Sequence, residues 1–256
     1  MVKMWPQPSS GASLPFGVAE LLTCVGAAGT VLDLGCGSGR LTVALALAGA
    51  EATGVDTNAR RLADAHERAR KVGAAATFLE ADMNAPLPFA DGAFGAVTSR
   101  LALMIARDPV ATLREAARVL APGGAVATAV WARIGENPWF GEPRAAVAAV
   151  LGPERAAFAG AFGRLGDACE LAELHRLAGF GDVHATVLHD EVTAGDAAAH
   201  WESLTASIGH YRRLEAALTP AERGRLQTAL AQRLEPLRRD GELRLGRAMV
   251  IVRGLR

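Results

Sequence analysis

Cysteine is scarce in this chain: three residues among 256, far apart at Cys24, Cys36 and Cys169. An odd, scattered set excludes a disulfide framework and a zinc cluster, so no metal is expected, and the expected setting is a reducing, cytoplasmic one. Surplus charge is lacking as well, since 27 basic residues balance 27 acidic ones. Nothing global draws the chain to nucleic acid or to an anionic membrane; a small molecule is the expected partner, and a homodimer stays open. No stretch offers about eighteen uninterrupted apolar residues, and Pro6 and Pro8 interrupt the start where a signal peptide carries its apolar core, so no membrane insertion is expected. Aromatic residues are few, and Tyr211 is the only tyrosine. Hydrophobic residues nevertheless make up 50% of the chain, ample for one large α/β domain, which excludes disorder for most of it.

What is present is an abrupt change of texture between Thr30 and Gly39, read as Thr-Val-Leu-Asp-Leu-Gly-Cys-Gly-Ser-Gly. A short β-branched apolar run, suited to a strand buried on both faces, gives way to glycine at 35, 37 and 39. Such a loop turns sharply, lets a ligand approach the backbone and opens into a helix with free N–H groups. The pattern predicts strands over 31–34, 52–56, 77–80, 94–98 and 125–131, with helices over 40–48, 58–71 and 108–120 between them. That rhythm implies right-handed crossovers and a doubly wound, mostly parallel sheet. Beyond Trp131 it predicts helices over 143–151 and 153–162, a helix from Asp167 to Gly179, a strand over 183–188, helices across 190–241 and a last strand over 248–252. The expected organisation is a single domain, 1–256, with a core of about 25–131, 166–189 and 244–256 and a helical lid from insertions of about 132–165 and 190–243. Residues 1–17 are expected to form an arm anchored by Trp5 and Phe16, either a surface strap or a flap over substrate.

The glycine spacing bears on the ligand. A dinucleotide fingerprint wants its third glycine where this chain has Arg40, so NAD and FAD are disfavoured, and no P-loop spacing occurs. Asp56 ends the second predicted strand, where a carboxylate can take both hydroxyls of a ribose. Together these suggest an adenosine ligand without a pyrophosphate. At this point the residues resemble the class I S-adenosylmethionine-dependent methyltransferases. Val31-Leu-Asp-Leu-Gly-Cys-Gly-Ser-Gly39 is similar to that family's first motif at every position. The likeness continues through Gly54-Val-Asp56, Ala81-Asp-Met83, Asp91-Gly-Ala-Phe-Gly-Ala-Val97 and Leu120-Ala-Pro-Gly-Gly124, covering about residues 28–131. Ser99-Arg-Leu-Ala-Leu-Met104, Asp108-Pro109, Trp131 and Glu136-Asn-Pro-Trp139 resemble the type 11 branch, which includes ubiquinone and menaquinone methyltransferases and bacterial small-molecule methyltransferases.

The resemblance implies a Rossmann-like methyltransferase fold with a seven-stranded sheet, S-adenosylmethionine as cofactor, and methyl transfer to an O, N or C atom of a small, partly hydrophobic biosynthetic molecule, a secondary metabolite or a quinone-like ring. Gly35, Cys36, Gly37 and Gly39 would pass under the methionine part, and Asp33 would face its ammonium. Asp56 would take the ribose hydroxyls with Thr57 beside the adenine, Asp82 the adenine amino group with Met83 on the ring, and Ser99 would lie near the methionine portion. Each has a plainer alternative: Asp33 as a helix cap, Asp82 as a turn cap, Cys36 as a small residue that fits its loop.

For a proton acceptor the candidates are His189, His210 and Tyr211, with His175 read as a surface histidine and His200 as a further option; a satisfied structural role competes with each. Arg100, Trp139 and Trp201 are candidate substrate contacts, Arg100 either for a carboxylate or phosphate or as the partner of a lid acid. Two other readings keep the fold: a recruited reaction such as cyclisation or decarboxylation, and a cofactor-binding protein without catalysis.

Overall fold

A computed structural model describes residues 14–157 and 162–256, so Trp5 and part of the helix expected over 153–162 lie outside the described residues. Within it the chain divides into two compact units. The first takes the described residues up to Trp131, Leu165–Leu188 and Met249–Arg256; the second takes Ala132–Arg164 and His189–Ala248.

The first unit begins with α1 (Val18–Val25) and then alternates as its patterning requires: β1 (Thr30–Leu34), α2 (Arg40–Leu47), β2 (Glu51–Asp56), α3 (Ala59–Val72), β3 (Ala76–Glu80), β4 (Phe94–Arg100), α4 (Pro109–Val119) and β5 (Leu120–Trp131). The stops and starts have local causes. Asn58 caps α3 by accepting from the Arg61 N–H at 3.1 Å, and Gly73 ends it in the left-handed region. Asp108 caps α4 by accepting from Ala111 N–H, with Pro109 at the first position. β5 starts five residues earlier than the apolar run suggests, because Leu120 pairs with Phe94 before the register shifts and resumes at Ala96 opposite Ala125. Next come α5 (Pro138–Leu151), α6 (Pro153–Ala156), α7 (Ala168–Leu177), β6 (Gly181–Ala194), α8 (Ala197–Ser207), α9 (Gly209–Ala216), α10 (Pro220–Leu234), β7 (Arg238–Arg239) and β8 (Glu242–Leu255).

The sheet order is β3-β2-β1-β4-β5-β8-β6, with β7 paired to β8. Pairing is parallel from β3 through β5 and antiparallel between β5 and β8. Among the described residues the sheet thus has eight strands rather than seven. The addition is the two-residue β7, which lengthens a hairpin because β8 starts at Glu242 rather than near 248. That extension alternates, with Leu243 and Leu245 buried between exposed or half-exposed neighbours, so the period-2 signal was there to be read. Chain order reverses between β1 and β4, which makes the carboxyl ends of these two strands a crevice.

The second unit has its own core, in which Phe140, Trp201, Tyr211, Leu226, Leu230 and Leu234 meet. Its α10 carries the expected capping box, Thr219 with Glu222. α5 starts at Pro138 instead of 143, and so holds Pro143 inside it. Proline there offers no N–H to the Trp139 carbonyl one turn back, and the imidazole of His200 supplies the missing donor, Nε2 at 2.6 Å.

Candidate functional site

At the crevice, β1 ends on Asp33 and Leu34 and breaks into the glycine loop. Gly35 has φ +68°, and a Cβ there would lie 2.3 Å from the Ala102 Cβ. Ala102 reaches that position because Leu101, directly after β4, takes the left-handed φ of 61° while its N–H donates to Ala129 O at 2.7 Å. Gly39 has φ +72°, and a Cβ would meet Ala65 at 2.8 Å and the Phe78 ring at 2.9 Å. The loop is therefore wedged between β4's exit on one side and the α2, α3 and β3 packing cluster on the other.

A carboxylate stands at the carboxyl end of each of the first three strands. Asp56 binds the loop itself: Oδ2 accepts the Gly37 N–H at 2.9 Å and Oδ1 the Asn58 N–H at 2.9 Å. Each oxygen keeps one lone pair for a hydroxyl donor. Asp33 is buried, with Oδ2 accepting from Thr42 Oγ1 at 2.7 Å and Oδ1 from Thr98 Oγ1 at 3.2 Å. Burial pushes its carboxyl up to about 6, against the opposing pull of the two hydroxyls and the Arg100 charge. Asp82, past β3, accepts at Oδ1 from Asn84 N–H and Nδ2 and at Oδ2 from Arg107 Nη2. These bonds, chiefly those from Asn84, hold it below the usual carboxylate range. Met83 is buried, its sulfur 3.8 Å from where a Gly35 Cβ would sit, and Thr57 is exposed at the end of β2.

Cys36 donates its N–H to Val55 O at 2.9 Å, and burial followed by the Asp33 and Asp56 charges pushes its thiol well up, which opposes a reactive thiolate. Ser99 is buried at the end of β4 with its hydroxyl donating to Leu34 O at 3.2 Å. Arg100 donates from Nε and Nη2 to Phe16 O at 3.1 and 2.9 Å, and the Phe16 ring stacks on Trp131 at 6.3 Å between centroids. The arm just before α1 is thus tied to the carboxyl edge of β4 and β5.

The first unit accordingly brings together Asp33, Gly35, Cys36, Gly37, Gly39, Asp56, Asp82, Met83 and Ser99. Thr57 and Arg100 belong to the same unit, whereas His189, His210, Tyr211, Trp139 and Trp201 lie in the second. His189 is exposed on β6. Tyr211 is fully buried in that unit's core against Phe140 and Trp201, and burial pushes its hydroxyl far up, so it stays protonated near neutrality. His210 beside it is half-buried, and burial and then the Arg213 charge push its imidazole down. Trp201 donates to Glu215 at 2.8 Å, and Trp139 donates to Asn137 at 3.1 Å. Asn137, in turn, donates to Ala132 O and Arg133 O and accepts from Ala248 N–H, which makes the Glu136-Asn-Pro-Trp139 stretch a structural hub.

His175 is not on the surface. It is fully buried, Nε2 3.1 Å from Thr128 Oγ1 and Nδ1 2.8 Å from Leu171 O, and burial pushes it down to about 4. Sequence reasoning also missed Thr42, Thr98, Asn84, Leu101 and Arg107. An aspartate in an apolar strand demands donors, so hydroxyls facing it from α2 and β4 were the discoverable part; Arg107 carried no signal.

Residues 32–128 match the family described as a methyltransferase domain. The demethylmenaquinone methyltransferase of Thermus thermophilus is 45% identical over 96 residues, 37% of this chain and 43% of that protein. The ubiquinone biosynthesis O-methyltransferase of Methylococcus capsulatus is 36% identical over 95 residues, 37% of this chain and 40% of that protein. The chain thus spans about two fifths of the length of such curated relatives. The chain is similar in fold to a candidate methyltransferase from Bacillus halodurans C-125, with a TM-score of 0.63 at 20% identity over 93% of this chain and 97% of that one.

Proposed function

We propose that the chain, whose residues 32–128 match the methyltransferase domain family, is an S-adenosylmethionine-dependent methyltransferase acting on a small, partly hydrophobic molecule. The observation that carries this is the row of carboxylates Asp33, Asp56 and Asp82 beside a glycine turn that a Cβ at Gly35 would fill. Three acids at one sheet edge repel a pyrophosphate and suit a nucleoside that carries cationic groups. The donor set fits: Asp56 has one lone pair on each oxygen for two ribose hydroxyls, and Asp82 has one left on Oδ2 for an amino group. Asp33, buried with both oxygens bonded, acts on an ammonium through its charge.

When bound, the sulfonium supplies an already activated methyl group. The chain's work is to hold the acceptor in line with it and to exclude water. Where the acceptor carries a proton, a base must receive it, and Tyr211, held protonated by its burial, does not serve as one. The Thermus thermophilus relative, named for demethylmenaquinone, makes a quinol ring the first acceptor to try. The test is a panel of quinols, phenols and amines with the purified protein, followed by mass spectrometry for methylated product and S-adenosylhomocysteine. Both products from one class support the proposal; S-adenosylhomocysteine without methylated product, across the panel, refutes methyl transfer.

A further inference from the structure

Arg107 lies in the loop between β4 and α4, outside the glycine loop and the strands, yet it fastens the turn that carries Asp82 at two points. Its backbone N–H donates to Asn84 Oδ1 at 2.8 Å, and its Nη2 donates to Asp82 Oδ2 at 3.1 Å. The first bond fixes which end of the Asn84 amide is which. The NH2 end must then face Asp82, and it donates to Oδ1 at 2.7 Å while the Asn84 backbone N–H donates to the same oxygen at 2.8 Å. Counting lone pairs, Oδ1 is filled and Oδ2 keeps one acceptor position, with Arg107 on the other.

We infer that Arg107 is a positioning residue, which holds Asp82 as a fixed acceptor and thereby selects a 6-aminopurine over a 6-oxopurine. The inference rests on the cofactor reading above. A 6-amino group presents an N–H to the open position on Oδ2; a 6-oxo group presents lone pairs to lone pairs, and a site built to take a donor rejects an analogue lacking it. An unheld carboxylate on an exposed turn can swing away and let water satisfy either purine. With Arg107 and Asn84 in place it cannot. The Arg107 side chain is 74% exposed, so the ion pair adds little to stability, and its loss leaves the fold intact.

The experiment is calorimetric titration of S-adenosylhomocysteine and its 6-oxo counterpart, S-inosylhomocysteine, into the wild type, Arg107→Met, Arg107→Lys and Asp56→Ala. The wild type should prefer the adenine compound by about tenfold or more, the scale of one hydrogen bond to a charged group. Arg107→Met should narrow that preference by roughly threefold, the scale of a modest orienting contact, with Arg107→Lys in between. Asp56→Ala should weaken both compounds alike. An undiminished preference in Arg107→Met, with tight wild-type binding, overturns the role of Arg107 alone. Equal wild-type affinity for both compounds overturns the selection. Failure of the wild type to bind either overturns the cofactor reading and this inference with it.

Discussion

Replacing Gly35 by alanine should destabilise the protein by about 2 to 5 kcal/mol, and the cost separates into two parts that can be measured apart. The left-handed φ of +68° charges any Cβ about 1 to 2 kcal/mol. The 2.3 Å approach to the Ala102 Cβ forces backbone or side chain to shift, at about 1 to 3 kcal/mol. Only the second part depends on Ala102. Ala102→Gly alone should lose about 1 kcal/mol of buried methyl. Combined with Gly35→Ala it should give back the clash, leaving a favourable coupling of about 1 to 3 kcal/mol between the two sites. Urea unfolding of the four proteins at pH 7, followed by circular dichroism, measures the cycle. A single-mutant cost under about 1 kcal/mol, or a coupling within about 0.3 kcal/mol of zero, would refute the argument that β4's exit clamps the glycine turn.

The other predictions concern charge, pH and the second unit. Asp56→Ala should weaken S-adenosylhomocysteine more than about tenfold, since hydrogen bonds to a charged group contribute about 1.5 to 3 kcal/mol; unchanged affinity in a folded variant removes Asp56 from the site. Asp33 and His175 should tilt stability in opposite directions. The carboxyl, raised from 3.8 to about 6, binds more protons when folded, so its contribution is lost as pH rises through that window, by up to about 3 kcal/mol. The imidazole, lowered from 6.5 to about 4, contributes above pH 6.5 and loses up to about 3 kcal/mol as pH falls to 4. Urea midpoints from pH 4 to 7 should therefore show Asp33→Asn gaining on the wild type as pH rises and His175→Gln gaining as pH falls; parallel curves contradict the burial account. His200→Leu should cost about 1 to 3 kcal/mol by removing the imidazole's hydrogen bond to the Trp139 carbonyl. Adding Pro143→Ala, which returns a backbone N–H to that carbonyl, should recover much of the loss, and thermal denaturation of the double variant checks it.

The alternating first half was legible because its signals are local and redundant. Apolar runs, caps at Asn58 and Asp108 and the glycine stop at Gly73 all point to the same elements. The acids of the sheet edge were legible for the same reason, since Asp33 and Asp56 lie at the ends of recognisable strands and Asp82 in the turn after one. What escaped is what depends on distant partners. His175 looks like a surface residue in its helix, and only the packing of α7 places it against Thr128. Pro143 reads as a helix start, and only His200, far along the chain, makes it tolerable inside α5. Arg107 has no pattern at all, because its meaning lies in the turn it fastens. β6 ran beyond its expected bounds because most of its side chains are exposed, which leaves no alternation to find.

Calorimetric titration of S-adenosylhomocysteine into the purified wild-type protein decides whether the glycine turn and its carboxylates hold the proposed cofactor. We expect one site per chain, saturable heat, and affinity lost in Asp56→Ala while the fold is kept. No measurable heat from a folded wild-type protein, with S-adenosylmethionine equally silent, would contradict it.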